Sequence, residues 1–115
     1  MKTLNAGRVG IAQGNEDLFE DFSSGGPMWT EQGNRERRTK VRFDTPFAEA
    51  PVVQVALSLW DVDYSTNVRG DIFADKITPK GFEIVFRTWG NTRIARARAS
   101  WLAIGQARDE DMWDV

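Results

Sequence analysis

The sequence predicts an all-β domain, an antiparallel β-sandwich, and three observations support this prediction. Apolar and polar residues alternate with period two in the longest apolar segments, which is typical of strands that bury one face. Short turn motifs separate these segments: Gly-Asn at 33–34 and 90–91, and Thr-Pro at 45–46 and 78–79. The 115 residues suffice for one domain with one core. Short strands joined by polar turns favour two stacked sheets.

Six segments are strand candidates: GRVGIA near the start, TKVRF at 39–43, VVQVALSLW, VRGDIFADKI at 68–77, GFEIVFRTW, and the run at 93–104. The stretch NEDLFEDF at 15–22 resembles a helix but is too short to change the class. We expect one domain over residues 1–105 and an acidic tail over 106–115.

Parity assigns faces to the central strands. One face of VVQVALSLW would hold Val53, Val55, Leu57 and Leu59. In GFEIVFRTW, the apolar Phe82, Ile84 and Phe86 alternate with Glu83, Val85, Arg87 and Trp89. Trp89 therefore points away from the core beside a turn, which suits stacking on a sugar ring, burial at an interface, or coverage of the open end of the sandwich.

The last strand alternates alanine and arginine. Trp101 shares a face with Ala95, Ala97 and Ala99, and the other face holds Arg96, Arg98, Ser100 and Leu102. The alanines leave room for a close neighbour, and the arginines point either to solvent or to acids of a neighbouring protomer.

Composition excludes several kinds of chemistry. The chain has no cysteine and no histidine, which rules out disulfides, thiolate metal sites, and Ser-His or Cys-His nucleophile pairs. We expect no cofactor and no metal. Among the 17 acidic residues, no pair stands out as the carboxylates of a glycosidase, so catalysis is a remote alternative.

Charge and hydropathy set limits on partners. The net charge is −2, and the acids concentrate in the tail, which leaves 14 bases against 13 acids in the body. A nearly neutral body argues against nucleic-acid binding. We find neither a run of about 18 apolar residues nor an apolar signal segment, so we expect a soluble chain without membrane insertion.

Three weaker motifs have structural alternatives that we favour. Gly7, Gly10 and Gly14 lack phosphate-loop spacing and fit strand bends. Asp61 and Asp63 could ligate a divalent cation, but a turn or strand-end cap is favoured. The basic segment GNRERRTKVRF could bind phosphate, but Glu36 interrupts it and a solvated strand face is favoured.

A family resemblance covers residues 41–105. It rests on separated matches in a fixed order: VRF at 41–43, PF at 46–47, PVV at 51–53, DVD at 61–63, TWGNT at 88–92 and SWLAIG at 100–105. This pattern resembles the H-type lectin domain of snail agglutinins and discoidins. The resemblance implies a six-stranded antiparallel β-sandwich that forms a homotrimer, sometimes paired into a hexamer. It also implies non-catalytic binding of galactose or N-acetylgalactosamine at shallow sites between protomers.

The resemblance also implies the site residues. Arg69 matches the arginine that donates to sugar hydroxyls, and Trp89 matches the stacking tryptophan. The next position, a histidine in the snail protein that reads the N-acetyl group, is Gly90 here. Gly33 and Glu36 in GNRE are the approximate counterparts of a glycine and an acidic residue from a neighbouring loop.

The sequence is compatible with two functions. One is a glycan-binding lectin with three equivalent sites. The other is a structural or adhesin assembly module, bacterial or phage-like, that keeps the trimeric fold with altered or lost sugar binding. Gly90 and the approximate acidic loop motivate the second.

Overall fold

The computed structural model describes residues 1–4 and 7–109. It contains six strands and two one-turn helices, with these bounds: β1 Val9–Phe19, α1 Asp21–Ser24, α2 Pro27–Thr30, β2 Arg35–Arg42, β3 Val52–Val62, β4 Asp71–Thr78, β5 Gly81–Thr88 and β6 Ile94–Gln106. Strands in the order β1-β6-β3 form sheet I, and strands in the order β2-β5-β4 form sheet II. Every strand pair is antiparallel. The predicted all-β class and the six-stranded antiparallel β-sandwich are confirmed.

The prediction that residues 15–22 resemble a helix is wrong for most of that segment. Strand β1 continues to Phe19, and its backbone pairs with β6 from Val9 opposite Gln106 to Phe19 opposite Ala97. Cross-strand pairing along β6 outweighs the weak helical preference of a few residues, because a single helical turn is unstable alone. The helix α1 begins only at Asp21 and ends at Ser24, followed by Gly25, whose φ of 73° is left-handed.

The core lies between the sheets, where Phe82, Ile84 and Phe86 of β5 are buried as parity predicted. Trp101 is also a core residue, and its ring centroid lies 5.8 Å from that of Phe43 and 5.4 Å from that of Phe82. Ala97 and Ala99 are buried on the same face of β6. Small residues there admit the aromatic rings of the opposite sheet.

The predicted face of Leu59 is wrong because β3 contains a bulge at Ser58. The register shifts between Leu57, which pairs with buried Ala99, and Leu59, which pairs with outward-facing Arg98. Because an extra residue reverses parity, Leu59 joins Arg98 on the outer face, and Trp60, still 37% exposed, pairs with buried Ala97. Trp60 then packs over Gly70, where an added Cβ would lie 2.9 Å from the Trp60 ring.

A second irregularity, in β4, brings a lysine to Glu83. Lys76 has a φ of 51°, and its N–H donates to Asp75 Oδ1 at 2.9 Å. Lys76 Nζ lies 3.4 Å from Oε2 of buried Glu83. The register of β4 against β5 shifts here, between Asp75 and Thr78.

We expect Lys76→Gly to raise the free energy of unfolding by about 1 kcal/mol. A residue with a β-carbon is strained in the left-handed backbone conformation, and glycine is not. The lost ion pair contributes little, because Lys76 is 67% exposed and Glu83 keeps Arg38 Nη1 at 3.7 Å. Urea unfolding would measure the change, with Lys80→Gly as the control that removes an exposed lysine without positive φ. A Lys76→Gly protein no more stable than the Lys80→Gly protein would contradict the strain argument.

The last described residues continue the pairing beyond β6. Ala107 forms an isolated bridge with Phe47, and its N–H donates to the Arg8 carbonyl at 2.9 Å. Residues 110–115 of the predicted tail lie outside the described residues, so the division at residue 105 stays a proposal. In the part of the chain that the structure describes, no helix is long and apolar enough to cross a membrane.

Candidate functional site

Three connections meet at one end of the sandwich. They are the β1–β2 connection with its two helices, the β3–β4 connection over 63–70, and the β5–β6 turn over 89–93. Antiparallel pairing places the end of β5 opposite the start of β2, with Thr88 paired to Arg35. This topology brings four of the five predicted site residues to the loops of one end, and the fifth, Glu36, lies on β2 beside them.

Arg69 lies against the turn that contains Trp89 and Gly90. Gly90 has a φ of 67°, and a Cβ built on it would lie 3.1 Å from Arg69 Nη1. The guanidinium thus packs closely over Gly90, and a β-carbon at position 90 would require it to shift. The backbone arrangement therefore brings Arg69 and this turn together.

Two buried threonines hold the backbone around Arg69. The Thr88 hydroxyl donates to the Arg69 carbonyl at 2.7 Å, and the Arg69 N–H donates to Thr92 Oγ1 at 3.1 Å. Thr92 in turn donates to the carbonyl of Asn67. Buried hydroxyls with satisfied hydrogen bonds fix local geometry. The turn and the 67–69 segment therefore form one rigid unit.

Trp89 follows directly after β5 and is 40% exposed. The predicted exposure is confirmed, because β5 parity turns this residue away from the core. The indole borders a groove of about 430 Å³ whose other walls include Asn34, Glu36, Asp71 and Arg87. An exposed indole beside polar groups can stack on a sugar or pack on a partner.

Gly33 is tied to the same turn. Its N–H donates to the Gly90 carbonyl at 2.8 Å, and its own carbonyl accepts from Arg35 Nε at 2.9 Å. Gly33 has a φ of 85° that favours glycine. Both of its backbone groups are engaged within the chain.

Arg35 is the residue at this end whose burial sequence reasoning missed, because we predicted a solvated face for the basic segment. The side chain is buried, and it donates to the carbonyls of Gly33, Pro27, Met28 and Gly90 at 2.9–3.3 Å. Burial lowers the pKa of Arg35. Its position directly after Gly-Asn, at the start of a strand, was the available signal.

Glu36 points to the outer face of sheet II and bridges two arginines. Its Oε1 accepts from Arg87 Nε at 2.8 Å, and its Oε2 accepts from Arg38 Nε at 2.9 Å. The hydrogen bond from Arg87, followed by that from Arg38, lowers the pKa of Glu36. The carboxylate is therefore ionised at neutral pH, and it faces the Trp89 groove.

Asp61 and Asp63 have different partners, which supports the turn interpretation of the DVD motif. Asp63 Oδ1 accepts from the backbone N–H of Ser65 at 2.9 Å, and Asp63 Oδ2 lies 3.2 Å from Arg93 Nη1. The Ser65 hydrogen bond lowers the pKa of Asp63. Asp61 lies 3.7 Å from Arg96 Nε across the strands. Within residues 1–4 and 7–109, no three His, Cys, Asp or Glu side chains cluster as metal ligands.

Arg69 and Trp89 thus lie on two neighbouring connections at one end of a six-stranded antiparallel β-sandwich. Residues 38–104 match the family model of the H-type lectin domain. The chain belongs to the H-type lectin family.

The chain is also similar to individual proteins. It is 57% identical over 107 residues to the "ATP synthase subunits region ORF 7" protein of Fuscovulum blasticum, covering 93% of both chains. It is 35% identical over 75 residues to a discoidin-1 polypeptide of Dictyostelium discoideum, covering 64% of this chain and 30% of the discoidin.

Two solved structures of discoidin II from Dictyostelium discoideum share the fold. The wild-type structure superposes with a TM-score of 0.75 at 21% identity, covering 86% of this chain and 37% of the discoidin chain. The recombinant native structure gives 0.76 at 20% identity, covering 94% and 40%. The chain thus spans less than half the length of these discoidins.

Proposed function

We propose that this protein binds galactose or N-acetylgalactosamine on glycans, without catalysis, through shallow sites between the protomers of a trimer. The observation that carries the proposal is the pairing of Arg69 with the Trp89–Gly90 turn. Arg69 Nη1 lies 3.1 Å from the position of a Cβ built on Gly90, and the indole of Trp89 is 40% exposed. Both residues belong to the unit that Thr88 and Thr92 hold together.

The chemistry of these groups suits a sugar. A guanidinium offers a planar fork of donors that can bridge adjacent hydroxyls, and an indole can stack on the apolar face of the ring. Glu36 adds acceptors, and Gly33 holds the turn through its hydrogen bond to Gly90. In this proposal Arg69, Trp89 and Glu36 only bind the sugar. None of the three is a nucleophile activated by a neighbouring base.

Trimer formation is supported by the outer face of sheet I. Cross-strand pairing aligns Ile11, Ile104 and Val52 in one row at the end away from the site, and these side chains are 68%, 37% and 54% exposed. Val9 extends this row. An exposed apolar row on a flat sheet is a typical association surface, and cyclic symmetry would close it. The same proposal includes the pairing of two trimers into a hexamer.

Loss of the arginine or the tryptophan tests the site. We expect Arg69→Ala and Trp89→Ala each to weaken binding of free galactose by about tenfold or more, because each removes a direct contact worth over 1 kcal/mol. Isothermal titration would measure the dissociation constants, and Tyr64→Ala provides a control at an exposed aromatic residue outside the site. Full retention of binding by both variants would refute the site assignment.

A structural or adhesin assembly module is the second candidate function. It is favoured by the internal engagement of Gly33 and Glu36, whose hydrogen bonds are already made within the chain. Native mass spectrometry would give the oligomeric state, and a glycan array would test sugar binding. A trimer that binds no glycan at millimolar concentration would support this function over the first.

A further inference from the structure

The groove beside Trp89 extends beyond the residues that the family pattern assigns. Its walls of Asn34, Asp71 and Arg87 lie on the outer side of sheet II, next to Glu36. Arg69 is not among the residues that line it. Trp89 thus lines this polar groove and also belongs to the turn that packs against Arg69.

Arg87 is held in the groove by two contacts. Its Nε donates to Glu36 Oε1 at 2.8 Å, and its guanidinium carbon lies 4.9 Å from the centre of the Phe73 ring. Stacking and the Nε hydrogen bond fix the plane of the guanidinium. The side chain is 49% exposed, so its terminal amino groups remain accessible to a ligand.

Asp71 supplies the complementary acceptor. It is the first residue of β4 and pairs in register with Arg87, yet no side-chain hydrogen bond or ion pair engages its carboxylate within the described part of the chain. A carboxylate and a guanidinium on neighbouring strands bring an acceptor and a donor fork to one surface. The side-chain amide of Asn34 can both donate and accept hydrogen bonds.

We propose that this groove is a second sugar subsite, which holds the neutral sugar unit next to the terminal galactose-type residue. Asp71 would accept from its hydroxyls, Arg87 would donate to them, and Trp89 would contact both units. The inference rests on the proposed function. A neutral unit fits best, because Glu36 already balances the charge of Arg87 and Asp71 would repel a sulfate or carboxylate.

The groove stays open in the proposed trimer. Asp71, Arg87 and Glu36 project from the outer face of sheet II, whereas the apolar row proposed for association lies on the outer face of sheet I. The two outer faces of a sandwich point in opposite directions. A glycan can thus extend from the terminal site over sheet II.

The test compares free galactose with four neutral disaccharides that end in galactose, linked α1-3, α1-4, β1-3 and β1-4. We expect the best disaccharide to bind the unmodified protein about fivefold more tightly than galactose, from one or two added hydrogen bonds. Asp71→Ala should reduce this ratio to about one and leave galactose affinity unchanged. Asp44→Ala, an exposed carboxylate at the other end of β2, should leave the ratio intact.

The outcomes separate the two proposals. Galactose binding with no gain for any disaccharide, or a gain that survives Asp71→Ala, would overturn the subsite. Absence of binding to galactose and to all four disaccharides would overturn the proposed function as well. Arg87→Lys provides an independent check, because lysine keeps the charge but loses the donor fork, and a reduced ratio supports the subsite. A sulfated second sugar that binds more tightly than its neutral form would contradict the neutral class.

Discussion

An Arg35→Met variant is expected to lose about 2–4 kcal/mol of unfolding free energy and to bind galactose more weakly. Arg35 is buried and donates to four backbone carbonyls. The Pro27 and Gly90 carbonyls keep backbone donors, from Glu31 and Gly33 respectively. The carbonyls of Met28 and Gly33 lose the donor that Arg35 supplies, and unsatisfied acceptors in a buried region are costly.

Binding should fall because Arg35 connects the β1–β2 connection to the Trp89–Gly90 turn. Without the guanidinium, only the Gly33 hydrogen bond joins Gly90 to that connection among the contacts described above. The stability and galactose affinity of Arg35→Lys should lie between those of the parent and of Arg35→Met. An ammonium keeps the charge but lacks the planar fork of donors that reaches four carbonyls.

Urea unfolding and titration with galactose would measure both effects, with Arg42→Met as the matched control. Arg42 lies on the same strand and is exposed, so its loss should change stability by less than about 0.5 kcal/mol. Equal stability of the Arg35 and Arg42 variants would show that the buried guanidinium is not a structural brace.

Parity along single strands predicted much of this fold. It placed Phe82, Ile84, Phe86 and Trp101 in the core and Trp89 outside it, because regular pleating alternates side chains between the faces. It failed at Leu59, since a bulge depends on how two strands pair and one strand does not reveal it.

The site was predictable only in part, for a similar reason. The family resemblance pointed to Arg69, strand parity and the resemblance pointed to Trp89, and the backbone brings the two residues to one end of the sandwich. The position of Arg35 directly after Gly-Asn was a local signal, but it did not reveal burial, which is set by the packing of α2 and the Gly90 turn over β2. The Asp71–Arg87 pair depends on strand register, which separate segments do not fix.

The proposed sites are shallow, so assembly should determine how strongly the protein holds a glycan-covered surface. Single sugar contacts are weak, and several sites that act together raise the effective affinity by about 10²–10⁴-fold. The apolar row of sheet I, with Ile104 on the central strand between Ile11 and Val52, is the surface on which this avidity would depend.

We therefore expect Ile104→Asp to convert the proposed trimer into a folded monomer. Ile104 is 37% exposed, so an aspartate there can be hydrated in the free chain, whereas three carboxylates would be buried together in the assembly. Binding to a surface of clustered galactose should fall by about 10²–10⁴-fold. Affinity for free galactose reports on the sugar sites separately, because this row lies at the end of the sandwich away from Arg69 and Trp89.

Analytical ultracentrifugation would give the oligomeric state, circular dichroism the fold, and surface plasmon resonance the binding to clustered galactose. Lys40→Asp is the control, because it changes the charge by more but lies on the outer face of sheet II, and it should remain trimeric. A parent protein that is monomeric would refute the proposed assembly. If the parent and the Ile104→Asp variant are both trimeric, the protomers associate through another surface. The avidity for clustered galactose would then depend on an interface that does not include the outer face of sheet I.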